Sequence, residues 1–368
     1  MVVIKIQKKI DVIALAQKCI ALIDTTQMST TYKPATFMAL LTVIAQHVDV
    51  DGRPPKTVIA ADLGREVMRL FWYQALPYQG GAPLKQAAGK GDIVTVISEY
   101  RVKKHLYSPT MTLDQARSAD ASGIKKLESQ CINTVANYPV KLLQRFGEGA
   151  RAREDLFLYE ISWRGSLKVS QFETAHLTLK PGVGEGLLLL APLLRTQLEN
   201  QWIAYVTERN KERLPKASVT KYLFGAVRSN VAAFAKHLVA LQEGLCFYCG
   251  GAITAGRAHV DHVVPWSISQ DDGLDNLVAT CISGNQSKSA TLIGLGHLKT
   301  WCARLVMGTP ENLAVEKLAK AKGISRNTVR TRNIARAAYQ NAPPGTTVWN
   351  SGGVMKPLDA KASLKLIR

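Results

Sequence analysis

Apolar residues recur at three- and four-residue spacing from Val12 to Ile23 and from Ala35 to Gln46, which predicts two amphipathic helices near the start of the chain. Asp51-Gly52-Arg53-Pro54-Pro55 breaks that pattern. Val58 to Tyr73 resumes it and ends in Phe71, Trp72 and Tyr73, aromatics assigned to core packing rather than to a base-stacking surface. Asp92 to Val102 reads as a further helix, and Gly147 to Ala150 as a joint. Leu156 to Trp163 and Leu167 to Leu179 read as two strands turning at Arg164-Gly165-Ser166. After the break at Val183-Gly184-Glu185-Gly186, Leu187 to Asn210 predicts a long helix, followed by a connection at Pro215. Val219 to Gln242 predicts another helix, leading into a pair of cysteines.

The last part of the chain has its own shape. Asn312 to Ala321 is a helical run, Lys322-Gly323-Ile324 turns, and Ser325 is placed to cap a second helix ending near Tyr339. This is the outline of a helix-turn-helix. Arg326 and Arg330 share one face of the second helix and Arg332 and Arg336 another, so Arg326 and Arg330 are candidate DNA contacts. The competing reading is an ordinary helical pair. There is no internal repeat and no low-complexity run.

With 368 residues, the chain is long enough for two or three domains. Charge changes the picture more than length does. The net charge is +19, and the stretch from Arg304 to Arg368, with twelve basic residues and three acids, contributes +9 of it. An excess of this size attracts polyanions, nucleic acid first and an anionic membrane surface second. A merely solvated tail is the bland alternative. No stretch reads as a membrane span: Gly186 to Leu194 is too short and holds Pro192. The apolar N-terminus is interrupted by Asp11, Gln17 and Lys18, which favours an amphipathic helix over a secretion signal and so a cytoplasmic protein. In that reducing setting a Cys-x-x-Cys pair points to metal or redox chemistry rather than a disulfide.

The chemistry concentrates between Leu245 and Lys288. Cys246 and Cys249 form a Cys-x-x-Cys knuckle followed by Gly250 and Gly251. Next comes the strand-like AHVDHVVPWS, which carries Asp261 and His262 and is stopped by Pro265. DNLVATCISGNQSK then supplies Asn276, Cys281, Asn285 and Lys288; the last three share a face if this piece is helical. Histidine is the side chain whose ordinary pKa suits taking a proton from water near neutral pH, which makes His262 a candidate general base. One geometric point resists a simple reading. Neighbours on a regular strand face opposite ways, so Asp261 and His262 serve one phosphate only if the strand bends. On an unbent strand His259 and Asp261 would share a face instead.

In that order and spacing, the segment from Leu241 to Cys302 resembles the His-Asn-His (HNH) endonucleases of the ββα-metal fold. The resemblance implies hydrolysis of DNA phosphodiester bonds to 5′-phosphate and 3′-hydroxyl ends. His262 would be the general base and Asn276 would orient it and its loop. Asp261 and Asn285 would hold Mg²⁺ or Mn²⁺, and Lys288 could contact a phosphate. Cys246, Cys249 and Cys281 could bind a structural Zn²⁺. Many members carry a second Cys-x-x-Cys, but Gly284 stands where its second cysteine would be, so the fourth ligand falls to Cys302, His297 or His259, or there is no zinc. TTYKPATFMALL near residue 30 and FWYQALPY near residue 71 resemble the front of bacterial proteins that place a helical domain before an HNH module. Such proteins belong to restriction or anti-phage defence, the HNH component of Zorya type II systems among them, which implies defence-system partner proteins.

The expected fold class is therefore α+β. A helical N-terminal domain (1–147) and a small mixed segment (148–215) precede a ββα-metal nuclease module (216–303) and a basic helical C-terminal extension (304–368). The alternative is a non-catalytic zinc-knuckle DNA-binding protein, and an RNA nuclease is a third reading. Sequence specificity, nicking versus double-strand cleavage and oligomeric state are not legible in the sequence.

Overall fold

The computed structural model describes residues 11–25, 29–87, 93–106, 108, 111–147, 152–213, 219–225, 231–324 and 326–368. The front of the chain is helical: α1 Val12–Thr25, α2 Tyr32–Gln46, α3 Ala60–Gln74, α4 Ile93–Lys103, α5 Leu113–Ala119, α6 Ala121–Asn137 and the short α7 Pro139–Leu142. Helix α2 is apolar almost all round and is correspondingly buried from Pro34 to Ile44. Helix α3 is amphipathic: Leu63, Val67, Met68, Phe71 and Trp72 enter the core, while Asp62, Arg65 and Arg69 stay on its polar side. The aromatic cluster is thus core, as its composition suggested.

The sequence placed residues 58–73 in one helix, but the β-branched Thr57–Ile59 forms a strand, β1, before α3 begins. Two-residue strands β2 (Arg145–Phe146) and β3 (Arg153–Glu154) pair with each other, and β4 is Tyr159–Ile161. Of the long strand expected over Leu167 to Leu179, only His176–Leu179 is β, as strand β5; Val169–Gln171 is a 3₁₀ turn. Strand β5 lies between β1 and β4, antiparallel to both, with Thr178 opposite Thr57 and Glu160. Helix α8, Val183–Arg209, runs through Pro192 and absorbs the expected break at Val183. One core spans all of this, from Leu15 through Trp72, Leu177 and Trp202 to Phe224, so residues 11–147 and 152–213 are not separate hydrophobic units.

Of the helix expected over Val219 to Gln242, residues 226–230 lie outside the described residues. In the described part Lys221–Gly225 is a π turn, Ala232–Phe234 is 3₁₀ and α9, Ala235–Leu241, is a regular helix. Tertiary hydrogen bonds compete for this backbone: the Gln74 amide donates to the Leu223 carbonyl at 3.2 Å.

The second half is built from β6 (His259–His262), α10 (Trp266–Ser269), β7 (Leu277–Thr280), α11 (Ile282–Lys288), α12 (Leu295–Arg304), α13 (Pro310–Ala321), α14 (Thr328–Gln340), the hairpin β8 (Thr347–Asn350) and β9 (Val354–Pro357), and α15 (Ala360–Ile367). Val263, Val278, Leu298, Trp301, Ile334, Tyr339 and Trp349 share one core. The C-terminal stretch therefore completes the hydrophobic unit that holds β6 and β7. It is not a loose basic tail. Among the described residues, no helix is long and apolar enough to cross a membrane.

Helices α13 and α14 occupy the expected positions, with Gly323 at φ +61° in the turn between them. Ser325, the expected cap, lies outside the described residues; Asn327 caps α14 by accepting from the Arg330 amide at 2.9 Å. We expect Asn327→Ala to cost about 1 kcal/mol, read as a shifted urea midpoint at unchanged slope.

The arginine assignments on α14 are corrected by the fold. Arg326 precedes the helix, and its guanidinium is held by the buried Asp275 carboxylate at 2.7–3.0 Å, with Asn312 as a further acceptor. Arg332 and Arg336 donate to carbonyls of the chain, those of Arg368, Leu305 and Ile367. Arg330 lies 4.0 Å from Glu66 of α3. These side chains tie elements together because each meets a carboxylate or an orphan carbonyl that only the tertiary fold brings near.

Candidate active site

Strands β6 and β7 pair antiparallel, with Asp261 opposite Val278 and His262 opposite Leu277, and α11 follows directly. The pair of strands and the helix together present four of the expected residues: Asp261 and His262 from β6, Asn285 and Lys288 from α11. Asp261 and His262 engage different partners, as alternation along a strand requires. Asp261 turns toward α11 and the cysteine knuckle, and His262 turns toward the loop that follows α10.

His262 is buried, and its Nε2 lies 2.8 Å from Oδ1 of Asp272. An ionised carboxylate can only accept, so Nε2 is the donor in this contact, and in the neutral tautomer that makes it, Nδ1 is the nitrogen without a proton. Asp272 was not singled out in the sequence. It sits in an acidic run, Asp271-Asp272-Gly273, whose only local signal is a turn.

Asn276 fixes that loop. It is fully buried; its Oδ1 accepts from the Val264 amide at 2.8 Å, and its Nδ2 donates to the carbonyls of Val264 and Asp271, both at 3.0 Å. Asp271 is also held from α14 by the Thr331 hydroxyl at 2.7 Å. Asn276 thus positions the backbone at Val264 and at Asp271, just before Asp272, and among the described residues makes no hydrogen bond to the His262 ring.

Lys288 corrects a sequence expectation. It is completely buried rather than facing a phosphate, and its ammonium lies 3.0 Å from Asp261 Oδ2 and 2.8 Å from the His262 carbonyl. Burial pushes its pKa below the usual lysine value, and Asp261 pushes back. The Tyr248 hydroxyl donates to the same Asp261 oxygen at 2.6 Å. Burial first, and the Asp261 charge second, raise the Tyr248 phenol well above its ordinary pKa, so it stays a neutral donor. Among the described residues, Oδ1 of Asp261 takes no hydrogen bond. The sequence signal for Tyr248 was slight: an aromatic inside the knuckle.

Cys246, Cys249 and Cys281 come together, with Cys281 Sγ 3.6 Å from Cys246 Sγ and 3.7 Å from Cys249 Sγ. A tetrahedral ion with bonds of about 2.3 Å needs sulfurs ~3.8 Å apart, so the three fit zinc. Gly250, at φ +68°, makes the tight turn after Cys249. The Ser283 hydroxyl and then the Gly284 amide pull the Cys281 thiol down to about 7, against the cost of burial. Among the described residues no fourth Cys, His or acid joins the cluster. His297 spends its Nε2 on the Tyr248 carbonyl at 2.9 Å, Cys302 is buried in the core with α14, and His259 is exposed at the start of β6.

Among the described residues one Asp261 oxygen is clear of hydrogen bonds, a hard donor of the kind Mg²⁺ or Mn²⁺ takes, and Asn285 lies on α11, the helix whose Lys288 meets Asp261. The arrangement offers a histidine whose Nε2 is held by a carboxylate, adjacent in sequence to Asp261 but turned to a different set of partners.

A family model for the HNH endonuclease matches residues 246–292, from the first knuckle cysteine to just beyond Lys288. No match is found among curated proteins or among solved structures.

Proposed function

We propose, from the match of residues 246–292 to the HNH endonuclease family, that the chain is a divalent-metal-dependent nuclease that hydrolyses phosphodiester bonds of duplex DNA. The observation that carries the reading is the His262–Asp272 contact at 2.8 Å, one strand position from Asp261. A histidine with Nε2 committed to a carboxylate has Nδ1 available for a water proton. The oxygen of that water attacks phosphorus as the proton passes to Nδ1. The bond to the 3′ oxygen breaks, that oxygen takes a proton from solvent water, and the products are a 5′-phosphate and a 3′-hydroxyl. Asp261 and Asn285 would hold the cation, which supplies positive charge to the phosphate and to the departing oxygen. Asn276 holds the loop, and Tyr248 and Lys288 hold Asp261. The net charge of +19 favours a polyanionic substrate.

The test is cleavage of supercoiled plasmid with added Mg²⁺. Wild type nicks or linearises the plasmid, and EDTA or His262→Ala abolishes this. If wild type is inactive with Mg²⁺ and Mn²⁺ on DNA, or cuts RNA alone, the DNA-nuclease reading fails. Salt-sensitive DNA binding that ignores His262 would favour the second reading, a non-catalytic zinc-knuckle DNA-binding protein, which the three-cysteine cluster supports by itself.

The knuckle is read as a structural zinc site. The purified chain should carry one equivalent of zinc by inductively coupled plasma mass spectrometry, and Cys281→Ser should lose it. Metal-free wild type of equal stability would remove zinc from the account.

The biological setting we infer is bacterial restriction or anti-phage defence, in the cytoplasm and with partner proteins. It rests on the resemblance of the segments near residues 30 and 71, which here pack in the front core. Phage plating on cells carrying wild type or His262→Ala tests it: equal plating across a phage panel would count against it.

A further inference from the structure

Strands β8 and β9 form a hairpin that stands against α11. They pair antiparallel, with Thr347 opposite Pro357 and Asn350 opposite Val354, and Gly352 and Gly353 turn between them at φ +74° and +79°. Strand β8 buries Val348 and Trp349, and the Trp349 indole donates to the Ser287 hydroxyl of α11 at 3.0 Å. In β9 every residue from Val354 to Pro357 is exposed, so neither face of that strand is covered. The turn is pinned at Ser351, whose hydroxyl donates to the Tyr248 carbonyl at 3.3 Å; the same carbonyl is 2.9 Å from His297 Nε2. Tyr248 is the residue whose hydroxyl holds Asp261 at 2.6 Å, so one residue links the hairpin to Asp261. An open cleft of about 460 Å³ lies between the hairpin and the start of α12. Gly296, His297 and Thr300 line it from α12, and Asn350, Ser351 and Lys356 from the hairpin. The lining holds hydroxyls, an amide, an imidazole and an ammonium, and no acid. Lys356 is exposed and has no ion-pair partner among the described residues, and Lys299, next to Thr300, is exposed as well.

We propose that this cleft holds the sugar–phosphate backbone of the substrate duplex where it runs on beyond the cut, with Lys356 against a phosphate and Thr300, Asn350 and Ser351 as neutral donors. The inference rests on the nuclease reading of Asp261 and His262. A duplex carries one negative charge per ~1.7 Å of its axis, so a strand with one phosphate at Asp261 continues across neighbouring surface. Much of that surface would repel it if acids lay there; this cleft has none and offers the donors that phosphate oxygens take, Lys, Thr, Ser and Asn. The hairpin is also the element that Tyr248 and Ser287 fix against the site, so a strand seated in the cleft is positioned relative to Asp261. An acidic peptide would meet Lys356 equally well, but nothing at Asp261 calls for one.

The experiment measures binding rather than cleavage. The full chain is titrated onto a fluorescein-labelled duplex of mixed sequence, without added divalent ion and across a range of salt, and anisotropy gives the affinity. Lys356→Gln should weaken binding severalfold and reduce the slope of log affinity against log salt by about 0.9, the loss of one phosphate contact. Lys125→Gln removes the same charge from an exposed position on α6 and should leave the slope unchanged. Gly296→Asp is the sharper probe. A Cβ at Gly296 meets nothing within 4 Å, and the first turn of α12 holds no acid. An acid there suits a helix N-terminus, so the variant should resist urea at least as well as wild type while losing affinity about tenfold by like-charge repulsion. No binding by wild type at low salt, an equal loss of slope in Lys125→Gln, or undiminished affinity in Gly296→Asp would overturn the proposal. A Lys356-dependent slope in a chain that never cuts plasmid would retire the nuclease reading and leave the cleft standing. Normal cutting with a slope indifferent to Lys356 would do the reverse.

Discussion

Asp272→Asn should lower the rate of Mg²⁺-dependent DNA cleavage about 100- to 10,000-fold while leaving DNA affinity nearly unchanged. The substitution keeps the size of the side chain 2.8 Å from His262 Nε2 but replaces an obligate acceptor with an amide. Wherever that amide presents its N–H to Nε2, the ring must carry its own proton on Nδ1. The lone pair that would receive the water proton is then gone. The loss should appear in kcat rather than in KM, because Asp272 orients a base and is not assigned to DNA binding. The melting temperature should stay close to wild type, since Asn276, Ser269 and Thr331 fix the loop without Asp272. A variant that keeps more than a third of the wild-type rate would show that Asp272 merely fills its place, and the His262–Asp272 pair would lose its role.

Lys288→Met should destabilise the metal-free protein by about 3 kcal/mol or more, because removing one partner of a buried ion pair strands the other. The stranded groups are the Asp261 carboxylate, its side chain 13% exposed, and the His262 carbonyl. The Tyr248 hydroxyl remains on Asp261 but brings no charge. A divalent cation at Asp261 would then supply the missing positive charge. Mg²⁺ should therefore restore more stability to the variant than it adds to wild type, as linkage requires for a ligand that binds the folded variant more tightly. Mn²⁺ binding followed by electron paramagnetic resonance should tighten at least tenfold. Equal stability of variant and wild type, or weaker Mn²⁺ binding in the variant, would show that Lys288 does not offset the Asp261 charge. The two experiments separate two proposed jobs: Asp272 is assigned the choice of available histidine nitrogen, and Lys288 the strength with which Asp261 attracts a cation.

The spacing of Cys246, Cys249, Asp261, His262, Asn276 and Asn285 was legible because each lies in a local turn, strand or helix whose periodicity is written in its neighbours. The helices from Val12, Tyr32, Ile93 and Pro310 were legible for the same reason, since a repeating apolar face needs no distant partner to be recognised. The strand at Thr57 was not, because it exists only through pairing with His176–Leu179, more than a hundred residues away. Nor was the π turn at Lys221–Gly225, where the Gln74 side chain competes for a helical carbonyl. The largest differences concern charge. Lys288 looks like any solvated lysine until α11 packs on β6 and buries it against Asp261. Arg326 looks like a DNA contact until Asp275 is folded beneath it. Asp272 looks like a turn residue until its loop closes on His262. A charged side chain's role depends on what lies within a few ångströms of its tip. Local sequence determined the residue types and the backbone period, while the distances between tips that decide proton position and cation affinity came only from packing.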